Sequence, residues 1–305
     1  MSLSDLPAEL LIIILNLATS SSRNTAISLA LTSSWISNVT LETRWKHISI
    51  CLRKHSQLES LRDIVCALAP RAARISSAVR TLWLTPEAYY YEYQCVSDIL
   101  SRLTKLEALA CEAPLLDKLF RHAQNTPLPQ AGLRITLLNH MDLQWSPMGS
   151  STRGLAFMHS LTHLHLSQYP GSFNTFPAEH LPNLTHLAVR GPSTIRGGSY
   201  TLQIREFGLA LYARSVHPMA AVLILSPTFE HKRRLFRCTS TPHELVRTAR
   251  QCSVKSRIMF YYAHWWRGES KFWDELMRNG DDIWTAAEKQ MDEKNLSHHP
   301  LLKIC

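Results

Sequence analysis

The chain has 305 residues, 45% of them hydrophobic, and a formal net charge of +9 from 33 Lys and Arg against 24 Asp and Glu. That length and apolar content suit one large or two to three small folded domains and exclude a disordered chain. The seven cysteines, at 51, 66, 95, 111, 238, 252 and 305, are odd in number, widely scattered and without a Cys-x-x-Cys pair, which fits reduced thiols in the cytoplasm or nucleus and not a secreted disulfide framework.

The first element is a helix from about Leu6 to Leu17. Pro7 in its first turn and the acidic Asp5 and Glu9 near its start suit a helix N-terminus. Its oddity is the run Leu10-Leu11-Ile12-Ile13-Ile14-Leu15, which at 3.6 residues per turn covers every side of a helix instead of one stripe. It is too short for a membrane span and lacks a basic flank for a signal peptide. A helix apolar all round must be buried on two sides, and a segment of about 45 residues is near the limit of about 40 below which a lone core seldom suffices. The second burying surface is then expected to be another protein. After it come Leu31-Thr32-Ser33-Ser34-Trp35 and Glu42-Thr43-Arg44-Trp45.

Residues 46 to 74 carry Leu58, Leu61, Val65 and Leu68 at helical spacing with little Gly or Ser, which predicts a packed helical connection without a flexible linker. From residue 79 to about 190 one pattern recurs, Leu-x-x-Leu-x-x-Leu-x-Leu. It runs Leu103, Leu106, Leu109, Cys111; then Met158, Leu161, Leu164, Leu166; then Leu181, Leu184, Leu187, Val189, with partial copies at Val79, Leu82, Leu84 and at Ile135, Leu137. The first residue of each Leu-x-Leu pair falls at 82, 109, 135, 164 and 187, within or near the leucine-rich-repeat spacing of about 20 to 29 residues. Between copies, Val96 to Leu103 and Leu115 to Phe120 have the spacing of one helix face. The expected architecture is α/β: short strands in a parallel sheet, each followed by a helix or irregular arc, stacked as a leucine-rich-repeat-like solenoid with an extended binding face. The copies lack the usual Asn after the strand.

Further strands are expected at Leu209 to Leu211, Val222 to Leu225 and Arg257 to Tyr262, with a helix from Pro242 to about Gln251 opened by the capping-box spacing of Thr241 and Glu244. The tail holds Trp265, Trp266, Phe272, Trp273 and Trp284 on helical segments, the last with Asp281 or Asp282 near its start. Aromatics this dense suit a helical cap over the open end of a repeat array.

The N-terminal residues resemble an F-box of the fungal type. Leu6, Pro7 and Glu9 match its opening, Leu10, Leu11, Ile14 and Leu15 its branched positions, and Leu31 to Trp35 its Val-Cys-x-x-Trp element with the Cys replaced. The loop between the first two helices, Thr19 to Thr25, reads as slightly longer than usual, and Ala18 is smaller than the common residue. The resemblance implies docking on the Skp-type adaptor of a cullin-RING ubiquitin ligase through Leu6, Pro7, Leu10, Ile14, Leu31 and Trp35, with Trp45 closing the module. It implies a non-catalytic, substrate-recognition subunit of an SCF-type ligase, with a non-ligase repeat scaffold as the alternative. The domains expected are an all-helical segment at 1–50, a helical connection at 51–78, the repeats at 79–262 and the cap at 263–305.

If the repeats are in register, the alternation of strand side chains places Thr81, Ala108, Arg134, His163 and His186 in one column on the binding face, and Trp83, Ala110, Thr136, His165 and Ala188 in the next. Trp83, Arg134, His163, His165 and His186 are residue types that anchor interfaces and are the expected substrate surface for a protein target. The three histidines lack a neighbouring carboxylate or Cys at ligand spacing, so a metal reading is not favoured and no cofactor is expected. No nucleophile elbow, phosphate loop, dinucleotide fingerprint or His-Glu-x-x-His motif is present. The basic excess lies in residues 151–250, with eleven Lys and Arg against four Asp and Glu, and clusters at His231 to Arg234 with Arg237. Aromatics do not alternate with those charges, which suits a solvated surface better than a nucleic-acid groove, with an import signal as the second reading.

Overall fold

The computed structural model describes residues 6–21, 23–51, 55–85, 93–122, 132–138, 152–167, 176–190, 220–225, 257–262, 273, 276 and 282–292. The expected strand at Leu209 to Leu211, the helix from Pro242, the basic cluster from His231 to Arg237, and Trp265, Trp266 and Phe272 lie outside those residues. The chain divides into two compact units, residues 1–109 with 125–130, and residues 110–124 with 131–305.

The first unit opens with four helices: α1 (Ala8–Ser21), α2 (Arg23–Thr32), α3 (Ser34–Val39) and α4 (Leu41–Trp45). The expected long loop from Thr19 to Thr25 is instead helical on both sides of Ser22. The Thr19 hydroxyl donates to the Leu15 carbonyl at 2.8 Å, the back-bond to residue i−4 that a hydroxyl side chain makes inside a helix. Ser33 caps α3, its Oγ accepting from the Ile36 N–H at 3.1 Å. A helix of six residues does not nucleate by itself, so Ser33→Ala is expected to cost about 1 kcal/mol. Urea unfolding of the two proteins checks this, and coincident curves would mean the cap contributes nothing.

Strand β1 (His47–Cys51) follows, where the sequence led to an all-helical segment ending at 50. Its signal was only Ile48 and Ile50 alternating with Ser49, shorter than the run that marks a strand. Helix α5 (His55–Cys66) buries Leu58, Leu61 and Val65, as the spacing implied. Leu68 does not share that face: α5 has ended at Cys66, and Leu68 is 99% exposed. Helix α6 (Pro70–Ala78) has Pro at its start and leads to β2 (Thr81–Thr85), which pairs parallel with β1, Thr81 opposite His47. Helix α7 (Tyr93–Arg102) buries Cys95, Val96, Ile99 and Leu100. Strand β3 (Ala108–Glu112) begins where the Glu107 and Ala108 N–H groups donate to the Arg80 carbonyl. The Arg80 and Thr81 N–H groups donate to Lys46 in the same way.

The second unit contains α8 (Ala113–His122), β4 (Arg134–Leu138), α9 (Thr152–Ser160), β5 (His163–Leu166), a 3-10 turn (Ala178–His180), β6 (His186–Arg190), β7 (Ala220–Leu225), β8 (Arg257–Tyr262) and α10 (Ile283–Asp292). Gly132 enters β4 at φ +93°, a left-handed conformation that suits glycine. Strands β4 to β8 pair in chain order, every pair parallel. The architecture is thus mixed helix and strand, the α/β class, with parallel sheet.

The repeated leucines make the core. Met158, Leu161, Leu164 and Leu166 are at most 2% exposed, and Leu181, Leu184, Leu187 and Val189 at most 4%. The positions before and after each turn also bond across copies: Thr185 and His186 N–H donate to the Thr162 carbonyl, and Ala220 N–H donates to Thr185. Each copy therefore ties its backbone to the one before it, which holds register at the N-terminal ends of the strands. Trp273 and Leu276 are buried, and α10 lays Ile283, Trp284, Ala286 and Ala287 against Ala188, Val222 and Met259. Among the described residues no helix is long and apolar enough to cross a membrane.

Candidate functional site

Two sites emerge, one in each unit. In the first, the all-round apolar helix α1 turns one stripe inward and leaves the others outward, Ile12 at 37% exposure among them. Leu15 and Thr19 face inward and are buried, with Leu11 and Ala18 half-buried beside them. Leu10, Ile13, Ile14 and Leu17 face outward at 49%, 54%, 44% and 66% exposure, and their spacing of 0, 3, 4 and 7 is that of a single helical stripe. Ile27 and Leu31 on α2 and Trp35 on α3 are also exposed, Leu31 at 82% and Trp35 at 43%.

Among the described residues, the buried apolar ones of α1 to α4 are Leu15, Ala26 and Leu41, fewer than the large apolar ones left in water. The frame beneath is held by polar ties. Thr43 Oγ1 donates to Asn16 Oδ1 at 3.3 Å, and the Arg44 guanidinium donates to the Ser37 carbonyl at 2.9 Å. A contiguous exposed stripe of this kind on a folded scaffold is a candidate interaction surface. Of the expected adaptor contacts, Pro7, Leu10, Ile14, Leu31 and Trp35 are exposed, and Leu6 and Trp45 are half-buried. Sequence reasoning did not single out Ile13, Leu17 and Ile27, which the α1 stripe and its neighbour on α2 add. The signal was there in the Leu10, Ile13, Ile14, Leu17 spacing, hidden because Leu11, Ile12 and Leu15 interrupt it.

In the second unit the register is the one the repeat spacing implied: Arg134 lies opposite His163, and His163 opposite His186. The next row is Thr136, His165 and Ala188. The expected open binding face is different. His165 is buried at 7%, its Nδ1 3.5 Å from Thr136 Oγ1, and Trp83 in the first unit is buried at 3%, so neither presents itself to a partner. Alternation along a strand says which side chains share a face, not whether something lies over that face.

Arg134, His163 and His186 are half-buried beneath the start of α10. The two imidazoles stack with centroids 4.1 Å apart and planes within 5°. Trp284 meets both rings edge-on, at 4.9 Å from His163 and 5.5 Å from His186. Arg134 pairs with Asp282 at 3.3 Å, while the other Asp282 oxygen accepts from the Thr285 N–H at 2.8 Å and caps α10. Thr185 Oγ1 donates its proton to the Thr162 carbonyl and lies 2.8 Å from His186 Nδ1. With that proton committed, His186 Nδ1 is the donor of the second bond.

Burial, then the His186 ring and Arg134, lower the His163 pKa from 6.5 to about 4 against the opposing pull of Asp282. Burial likewise lowers His186, opposed by Asp282 and Glu288. Two imidazolium charges about 4 Å apart would repel by about 4 kcal/mol at an effective dielectric of about 20. For Asp282, burial raises the pKa, but the Thr285 hydrogen bonds, Arg134 and His163 together hold it below the usual carboxylate value.

A pH dependence follows. The unfolded chain takes up protons at these histidines as pH falls below 6.5, whereas folded His163 stays neutral to about 4, so stability is full above that window and declines through it. Asp282 adds a second loss below its unfolded value of 3.8. Urea midpoints of the wild type are expected to fall from pH 7 to pH 4.5, and His163→Phe, which keeps an aromatic ring without a titrating group, is expected to flatten that slope. Equal slopes would remove His163 from the account.

Among the described residues no group of three or more His, Cys, Asp or Glu converges to hold a metal ion. Cys111, wholly buried, has its thiol pKa pushed up to about 12 by burial, which keeps it protonated and inert. No protein-family model matches the chain, and no curated protein matches it.

Proposed function

We propose that the chain is a non-catalytic substrate receptor of an SCF-type ubiquitin ligase. Its N-terminal helices act as an F-box that docks on a Skp-type adaptor and through it a cullin. Its parallel strands form a leucine-rich-repeat-like array, closed by an aromatic-rich C-terminal cap, that holds a protein target in the cytoplasm or nucleus. The observation that carries this reading is the outward stripe Leu10, Ile13, Ile14 and Leu17, continued by Leu31 and Trp35 on the next two helices and left in water by the fold. Burying a Leu, Ile or Trp side chain contributes about 1.5 to 3 kcal/mol, so a partner that covers this stripe gains enough for stable association. Trp35 supplies the rigid aromatic anchor typical of an interface centre.

The implied mechanism is proximity. The chain supplies no reacting group; it holds target lysines near a ubiquitin-loaded conjugating enzyme and raises their effective concentration. Co-expression with a Skp-type adaptor tests the reading. Co-purification of the two in a stable complex is the expected result. A folded chain that passes through the purification without the adaptor would overturn it.

A further inference from the structure

We infer that the row Arg134, His163, His186 is a recognition site for a helical protein segment that opens with a carboxylate residue and carries an aromatic ring two positions later, and that the chain's own Asp282 and Trp284 fill it until such a partner displaces them. The inference rests on the receptor reading and names the chemistry of the target.

The fit of α10 to the row has two parts. Ile283, Ala286 and Ala287 sit on the small apolar floor of Ala188, Val222 and Met259, which any helix with small and branched residues on one side would satisfy. The selective part is polar and aromatic. Three side chains from three consecutive strands converge on two consecutive functional groups of one helix turn, a carboxylate on Arg134 and an indole edge across the paired imidazoles. An N-cap carboxylate and a ring two residues later are a compact signature that another helix can reproduce.

The occupant in place is an imperfect ligand for this site. The Arg134 to Asp282 distance of 3.3 Å exceeds the roughly 2.7 to 2.9 Å of a strong charge-assisted bond. Those side chains are 32% and 19% exposed, open to competition from water. Among the described residues no hydrogen-bond acceptor meets the buried Trp284 Nε1, a desolvation penalty that α10 carries whenever it is docked. A partner helix that closes the ion pair and offers an acceptor to its own ring, or carries a ring with no N–H, would compete on better terms.

The probe is a fluorescently labelled synthetic peptide of residues 282–292, titrated into the full chain. The double variant Asp282→Ala, Trp284→Ala leaves Ile283, Ala286 and Ala287 as the contacts that hold α10 in place, so the site is open a larger fraction of the time and is expected to bind the peptide at least about tenfold tighter than the wild type. Adding Arg134→Ala, or replacing the peptide's own Asp282 by Ala, is expected to abolish the gain. Binding no tighter than wild type, or a gain that survives the loss of Arg134, overturns the inference. Should the double variant fail to fold, hydrogen exchange on the wild type decides. Amides of α10 that exchange much faster than those of β5 and β6 support a displaceable helix, and equal protection overturns it. Adaptor capture is measured on the same proteins: a chain that binds the adaptor but not the peptide fails here alone, and the converse sinks the receptor reading alone.

Discussion

Replacing Leu10, Leu31 and Trp35 together by alanine is expected to abolish adaptor capture while leaving the fold intact. The three side chains are 49%, 82% and 43% exposed, and surface substitutions of this kind change stability by within about 0.5 kcal/mol each. At an interface the same truncations have the opposite weight. A buried aromatic or aliphatic anchor is worth about 2 kcal/mol or more, or roughly 30-fold in affinity. Even with the usual non-additivity, the triple variant should lose at least about 100-fold. Titration of purified adaptor against wild type and variant, with thermal melts alongside, separates the two effects. Matching melts with lost binding support the docking face. An unchanged affinity would mean the stripe is not where the adaptor sits, and a collapsed melt would mean these residues are part of a core after all.

Leu187→Ala is expected to have the largest effect on stability. Leu187 is fully buried, and the register sets it between Leu164 on β5 and Ala221 on β7, both also fully buried. Truncation there removes transfer free energy and leaves a cavity that paired strands on either side cannot collapse, a loss of about 2 to 5 kcal/mol. Against a total of about 5 to 15 kcal/mol for a typical domain, that is a large share. Chemical denaturation gives the number directly. Leu68→Ala is the control, since a 99% exposed side chain has almost nothing to lose. A loss below about 1 kcal/mol for Leu187→Ala would mean the site relaxes freely, which close packing does not allow.

The repeat region was the most legible part of the chain. An apolar residue, mostly leucine, at each of four fixed offsets states both the period and the buried side of the strand, and the backbone ladder follows once neighbouring copies share that pattern. The row Arg134, His163, His186 was therefore readable by counting. The helices α5, α7 and α8 were readable for a related reason, each burying one stripe at a period of 3.6. Leu68 failed that reading because Cys66 ends α5 before the next turn could form. The α1 helix failed it differently: where every side is apolar, no local pattern can say which stripe turns inward.

What the sequence by itself determined was the set of local periods: which residues share a helix face or a strand side, where copies repeat, and hence a parallel α/β arrangement with Arg134, His163 and His186 in line. The tertiary structure alone decided what lies over each face. The contact between Arg134 and Asp282 spans 148 positions in the chain, and nothing in the spacing of either residue encodes the other. That contact turned an expected open row into one occupied by α10, and the packing of α2 and α4 on α1 chose Leu15 for the core and Leu10, Ile13, Ile14 and Leu17 for the surface. Periodicity is a property of neighbours along the chain, whereas burial depends on every segment that folds back over them.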